Sequence, residues 1–149
     1  NMKYRKAEKK DVQHLAKLFD AYRVFYRKET DLNSASQFIL ERLTNKDSEI
    51  FVAQSDKDEM LGFVQLYPLF SSTKMRRLWL LNDLFVSPLA RGKGISKGLI
   101  SKAKELVVAT NACGILLETE KSNHIGNKLY PKTGFHLNEA SNYYEWNNV

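Results

Sequence analysis

The stretch Leu78–Val86 (LWLLNDLFV) constrains the fold of this 149-residue chain more than any other. Apart from Asn82 and Asp83, every side chain in it is apolar. A strand buried on both faces reads this way, and such a strand belongs at the centre of a sheet. Pro88 stops it, because proline has no N–H for the ladder. A glycine-rich turn follows. Ile95, Leu99, Ile100, Ala103, Leu106 and Val107 then recur at helical spacing and mark an amphipathic helix.

The rest of the chain supplies partners for that strand. Lys3–Ala7 reads as a first strand. Asp11 offers an N-cap oxygen ahead of Leu15, Leu18, Phe19, Tyr22 and Tyr26, which predicts a helix of about 15 residues. Ser34 starts a shorter helix carrying Phe38, Leu40 and Leu43. Glu49–Gln54 and Met60–Tyr67 read as the two strands of a hairpin, with polar Ser55–Glu59 between them. Gly114–Thr119 (GILLET) is a further buried strand. Ser122–Tyr130 is helical and is ended by Pro131 and Gly134, and Phe135–Leu137 and Tyr143–Trp146 read as two closing strands. The order β-α-α-β-β-β-α-β-α-β-β implies an α+β (α/β mixed-sheet) fold with helices on both faces.

Residues 2–149 fit a single domain, with Asn1 ahead of Met2 reading as an expression scar. No apolar run approaches the roughly 18 residues of a membrane span, and no signal-peptide pattern appears at the start, so a cytoplasmic location without membrane association is expected. Cys113 is the one cysteine, which excludes an internal disulfide and a thiolate cluster and points to a reducing compartment. His14, His124 and His136 show no ligand spacing, so no metal is expected. The formal net charge is +6, which suits a polyanionic partner. The charge is concentrated: Arg91, Lys93, Lys97, Lys102 and Lys104 follow one another with no acid between them.

That cluster overlaps the loop between strand and helix, which carries Arg91, Gly92, Lys93 and Gly94. Glycine allows backbone N–H groups to approach a ligand closely. The first turn of a helix presents unpaired donors and the positive end of its dipole, so the loop suits a pyrophosphate. A P-loop is excluded because Gly94 stands where Ser or Thr is required, and a dinucleotide fingerprint lacks its third glycine at Lys97.

In this context Arg91-x-x-Gly94-x-Ser96, after Asp-Leu-Phe-Val-Ser-Pro, resembles motif A of the GNAT acetyltransferases, with Ser96 in place of the usual Gly or Ala. Asn123-x-x-Gly126-x-x-Leu129-Tyr130-x-x-x-Gly134-Phe135 resembles their motif B, with Gly126 in place of alanine. The resemblance covers nearly the whole chain and is nearest the diamine (spermidine/spermine-type) and histone-and-polyamine-acetyltransferase-like branch. It implies an N-acetyltransferase using acetyl-CoA and no metal. The acetyl group would pass directly, in a ternary complex, to a primary amine of a small molecule such as a polyamine or amino acid. A protein-lysine or N-terminal acetyltransferase and a catalytically idle acyl-CoA sensor are the alternatives. A nucleic-acid module is disfavoured, because no aromatic-interleaved basic stripe accompanies the charge.

The resemblance also implies site residues. Leu84, Phe85 and Val86 would lend backbone groups to the pantetheine arm, and one N–H would steady the developing oxyanion. Arg91, Gly92, Lys93, Gly94, Ile95 and Ser96 would wrap the pyrophosphate, and Asn123 would bond the cofactor. Tyr130, a phenol, would be the general acid that protonates the departing sulfur. In the diamine branch a glutamate serves as base where this chain has Asn82, which cannot take a proton. Asp83 is adjacent, but strand alternation points it to the opposite face. Asp83, Glu118 or Glu120 at the end of a water chain are the candidate bases. Tyr22, Tyr26, Glu29, Asp31 and Tyr67 are candidates for the acceptor pocket. No histidine is placed to activate Cys113 for an acyl-cysteine route. A homodimer is expected, and Tyr143, Tyr144 and Trp146 belong either to its contact or to the core.

Overall fold

The computed structural model describes residues 1–149, which form two compact units, Asn1–Glu118 and Thr119–Val149. The first contains β1 (Met2–Lys6), α1 (Val12–Phe25), α2 (Leu32–Asn45), β2 (Glu49–Ser55), β3 (Met60–Ser71), β4 (Arg76–Val86), α3 (Ile95–Ala109) and β5 (Ile115–Leu116). The second contains α4 (His124–Lys132). The sheet order is β1-β2-β3-β4-β5, antiparallel throughout except for the parallel β4–β5 pair.

Alternating side chains of the inner strands feed two apolar layers. Phe63 and Phe85 pack with Leu15, Leu18 and Phe19 of α1 and Ile39 of α2. Val64, Leu66, Leu81 and Val86 pack with Ile95, Leu99 and Ala103 of α3. The mixed α+β sheet with helices on both faces is therefore realised. Gly62 is a point of close approach between the sheet and α3. A Cβ there would lie 3.0 Å from the Phe85 carbonyl oxygen and 3.3 Å from both Ile95 Cγ2 and Leu99 Cδ1.

Several local expectations change. The Asp11 side chain does not cap α1. It accepts two bonds from Arg5, each 2.8 Å, and one from the Glu8 N–H, also 2.8 Å, tying the first strand to the turn before the helix. The α2 cap is Asp31, not Ser34: its Oδ1 accepts the Ser34 N–H at 3.1 Å, so the helix begins at Leu32. The apolar run 114–119 outlasts its pairing, since only Ile115 and Leu116 join β4, opposite Trp79 and Leu80. Pro131 sits inside α4 and does not end it, and the chain turns after it at Gly134 (φ 95°). The two closing strands at 135–137 and 143–146 are absent. Aromatic residues favour strands only where a ladder and a face to pack on exist, and here Leu137, Tyr143, Tyr144 and Trp146 stand exposed.

Candidate active site

β4 carries an irregularity where its two polar residues lie. Gln65 pairs with Asp83 and Leu66 with Leu81, so Asn82 is an extra residue opposite nothing on β3. Such a bulge re-aims the residues around it: Asn82 is exposed and Asp83 is buried. Beyond the bulge, the Ser87 N–H donates to the Leu61 carbonyl at 2.8 Å. Antiparallel pairs alternate between bonded and non-bonded. That alternation turns the N–H and C=O of Leu84 and Val86 away from β3, toward the side where β5 has already ended. Phe85 departs from the expected role, because its backbone belongs to the bonded pair with Phe63. Only Leu84 and Val86 offer main-chain groups to the open edge.

The next feature is the start of α3. Gly94 is its N-cap residue with φ 76°, and the first helical bond runs from the Gly98 N–H to the Gly94 carbonyl at 3.1 Å. No side chain caps this end, so the N–H groups of Ile95, Ser96 and Lys97 lack intrahelical acceptors. Gly92 is also left-handed, with φ 82°, and a Cβ on either glycine would meet no atom within 4 Å. Backbone conformation, not crowding, requires glycine at both positions. An uncapped helix start, two glycines and Lys93 beside an open strand edge fit a diphosphate-bearing thioester. Arg91 is placed differently from the expectation. Its guanidinium lies over the rings of Phe25 (5.4 Å) and Phe85 (5.8 Å), and its Nε donates to the Val86 carbonyl at 3.3 Å.

Asp83 is the buried charge of this region, 4% exposed. Its Oδ2 accepts from Gln65 Nε2 at 2.7 Å and its Oδ1 from Asn82 Nδ2 at 3.1 Å. Tyr22 of α1 also bonds its side chain, and the same hydroxyl reaches the Asn82 carbonyl at 3.3 Å. Burial pushes the Asp83 carboxyl above the ordinary aspartate value, and the bonds from Gln65, Tyr22 and Asn82 oppose that rise. Burial, with the charge of Asp83 adding to it, pushes the Tyr67 phenol up to about 12, so Tyr67 stays neutral at working pH. A carboxylate whose proton affinity is raised by burial is a better acceptor for an amine's proton.

In the second unit, Asn123 caps α4. Its Oδ1 accepts the Gly126 N–H at 3.1 Å and its Nδ2 donates to Thr119 Oγ1 at 2.8 Å. Gly126 stands where the resemblance has alanine because the capping amide folds over it: a Cβ there would lie 2.6 Å from Asn123 Nδ2. Tyr130 lies in the last turn of α4, edge-to-face with Phe135 (ring centroids 5.7 Å apart), and its carbonyl accepts the Phe135 N–H at 3.0 Å.

The structure thus brings Asn82, Asp83, Leu84, Val86, Arg91, Gly92, Lys93, Gly94, Ile95 and Ser96 onto one strand end and the loop and helix start that follow it. Sequence reasoning missed Gln65 as a partner of Asp83, and Ser48 as the partner of Gln65. Gln65 carries no local signal for this, because the contact depends on the register of β3 against β4.

The model of the Acetyltransferase (GNAT) family matches residues 14–135. The uncharacterized N-acetyltransferase YhfO of Bacillus subtilis (strain 168) is 42% identical over 134 residues, covering 90% of this chain and 89% of that protein. A crystal structure of a probable acetyltransferase superposes with a TM-score of 0.94 at 33% identity, covering 99% of this chain and 98% of the other. A predicted acetyltransferase from Clostridium acetobutylicum, solved with acetyl-CoA, shares the fold at a TM-score of 0.79 and 21% identity, covering 99% of this chain and 96% of its own. With sequence, fold and site geometry in agreement, the chain belongs to the GNAT family and is an N-acetyltransferase.

Proposed function

We propose that this N-acetyltransferase moves an acetyl group from acetyl-CoA directly to a primary amine of a small molecule, with Asp83 taking up the amine's proton through water. The observation that carries this reading is the buried Asp83 carboxylate, three residues before the open main-chain edge at Val86 and on the same strand. Acetyl-CoA supplies the activated acetyl thioester. The N–H groups of Leu84 and Val86 supply donors for the carbonyl oxygen as charge develops on it. Gly92, Lys93, Gly94, Ile95 and Ser96 hold the diphosphate, and Arg91 adds a cation once released from Phe25 and Phe85.

An alkylamine of pKa near 10.4 is almost wholly protonated at neutral pH, about one molecule in 10³ being free. A base near the acceptor therefore has direct work to do. Asp83 Oδ1, on the side of exposed Asn82, takes the proton, and the Tyr130 phenol returns one to the leaving sulfur. In this reading residues 2–149 are one acetyltransferase domain, supported by a family match over residues 14–135. A homodimer belongs to the same proposal, with exposed Tyr143, Tyr144 and Trp146 as its contact.

The test is acetyl-CoA with a panel of polyamines, amino acids, a lysine peptide and a free N-terminal peptide, with products identified by mass spectrometry. Acetylated small amines support the proposal. Acetylation of the peptides alone moves the substrate to protein. Cofactor binding without any product makes the chain an acyl-CoA sensor.

A further inference from the structure

Gln65 is 0% exposed and faces Asp83 as its cross-strand partner. Both ends of its amide are engaged: Oε1 accepts from Ser48 Oγ at 2.8 Å, and Nε2 donates to Asp83 Oδ2 at 2.7 Å. A buried amide adds nothing to the apolar layer that Leu or Met would not add, and burying it is costly unless both ends are bonded. What it adds is a donor with a fixed aim. Because the Ser48 hydroxyl donates to Oε1, the amide turns Nε2 toward β4, where it suits a carboxylate oxygen that accepts. An acid O–H at Oδ2 would meet another donor there.

We propose that Gln65, oriented by Ser48, is the positioning residue of the acetyl-transfer site: it holds Asp83 through Oδ2 and leaves Oδ1, whose bond from exposed Asn82 is the longer one at 3.1 Å, as the oxygen that takes the proton. This rests on the assignment of Asp83 as proton acceptor. The other titratable groups facing Asp83 are Tyr22 from α1 and Tyr67 from β3, with Arg42 and Asp47 acting on Tyr67. Tyr67 is a neutral phenol at working pH. Tyr22 bonds Asp83 as well, but its hydroxyl also reaches the Asn82 carbonyl, whereas the Gln65 amide has no acceptor other than Asp83. Gln65 thus opposes the effect of burial on Asp83 and favours its charged form.

The experiment follows Asp83 directly. Protein labelled with ¹³C at aspartate carboxyls is titrated by NMR, the Asp83 signal being identified by its loss in Asp83→Asn. Gln65→Met keeps the volume and removes the donor. Losing one hydrogen bond to a charged group predicts a rise of about one to two pH units in the Asp83 titration. Ser48→Ala, which only frees the amide to turn, predicts a smaller rise. The acid limb of kcat, measured with acetyl-CoA and the panel amine turned over best, should move up by the same amount as the NMR titration. Wild type on the same amine is the reference, so the amine's own titration cancels. A purely structural Gln65 would lower stability without moving either titration.

An unmoved Asp83 titration in folded Gln65→Met overturns the inference. If that variant does not fold, an unmoved titration in Ser48→Ala overturns it instead. If Asp83→Asn keeps the wild-type limb, Asp83 is not the proton acceptor and the inference falls with it. That failure is recognisable because the NMR shift in Gln65→Met would persist while kcat stayed put.

Discussion

Gly94 offers a substitution whose energetic consequence has to appear in one of two measurements. Its φ of 76° is left-handed, and a Cβ there would touch nothing within 4 Å. Crowding therefore contributes nothing to Gly94→Ala, and the whole penalty is the backbone conformation, about 1–2 kcal/mol for a residue with a Cβ. If the loop keeps its shape, the folded state carries that strain, and the melting temperature falls by about 2–8 °C for a chain of this size. If the loop instead relaxes in the free protein, the melting temperature holds. Binding must then restore the strained shape that frees the first-turn N–H groups, and coenzyme A binds about 5- to 30-fold more weakly. The two losses should sum to the same 1–2 kcal/mol. Gly94→Asn should lose less in total, since asparagine tolerates this region better. The assay is thermal unfolding together with calorimetric titration of coenzyme A on the same preparations. An alanine variant unchanged in both would refute the claim that this residue's conformation builds the anion site.

Two further predictions concern the frame around the site. The Arg5 bonds hold the Asp11 carboxyl below its ordinary value, so this pair stabilises the fold fully above the unfolded value near 3.9 and loses its effect as pH falls through the lower folded value. Arg5→Met should lower stability by about 1.5–3 kcal/mol at pH 7 and by less below pH 3, as read by urea unfolding at the two pH values. Gly62→Ala places a methyl against a backbone carbonyl that cannot rotate away. It should lower stability by about 1–3 kcal/mol, with coenzyme A affinity kept; a melting temperature at or above wild type would contradict the packing described here.

The parts legible in the sequence are those set by local chemistry. Leu78–Val86 announces a central strand, Gly92 and Gly94 announce a turn requiring positive φ, and Ile95 onward announces a helix with one apolar face. The parts that were not legible depend on register or on the absence of a partner. A strand apolar on both faces gives no alternation from which to detect an extra residue, so the bulge at Asn82, and with it the burial of Asp83, could not be read. Gln65 meets Asp83 only because β3 and β4 pair in this register, and Ser48 reaches Gln65 from the residue just before β2. Asp31 and Ser34 are both good caps, and the choice falls to the aspartate whose carboxylate reaches the Ser34 N–H. Tyr143, Tyr144 and Trp146 have strand-forming side chains but no ladder to join.

Replacing the Asp83 carboxylate by an amide bears on the chemistry most closely. Asp83→Asn keeps the shape, and its carbonyl can still accept from Gln65. Because burial raises the Asp83 carboxyl, its charged form weakens the fold at pH values above the raised folded value. The variant should therefore melt no lower than wild type at pH 7 to 8. With acetyl-CoA and the panel amine turned over best, kcat should fall about 10²- to 10⁴-fold, and the acid limb assigned to Asp83 should disappear from its pH profile. A variant that melts like wild type and acetylates at the wild-type rate, with the limb intact, would show that the proton goes elsewhere.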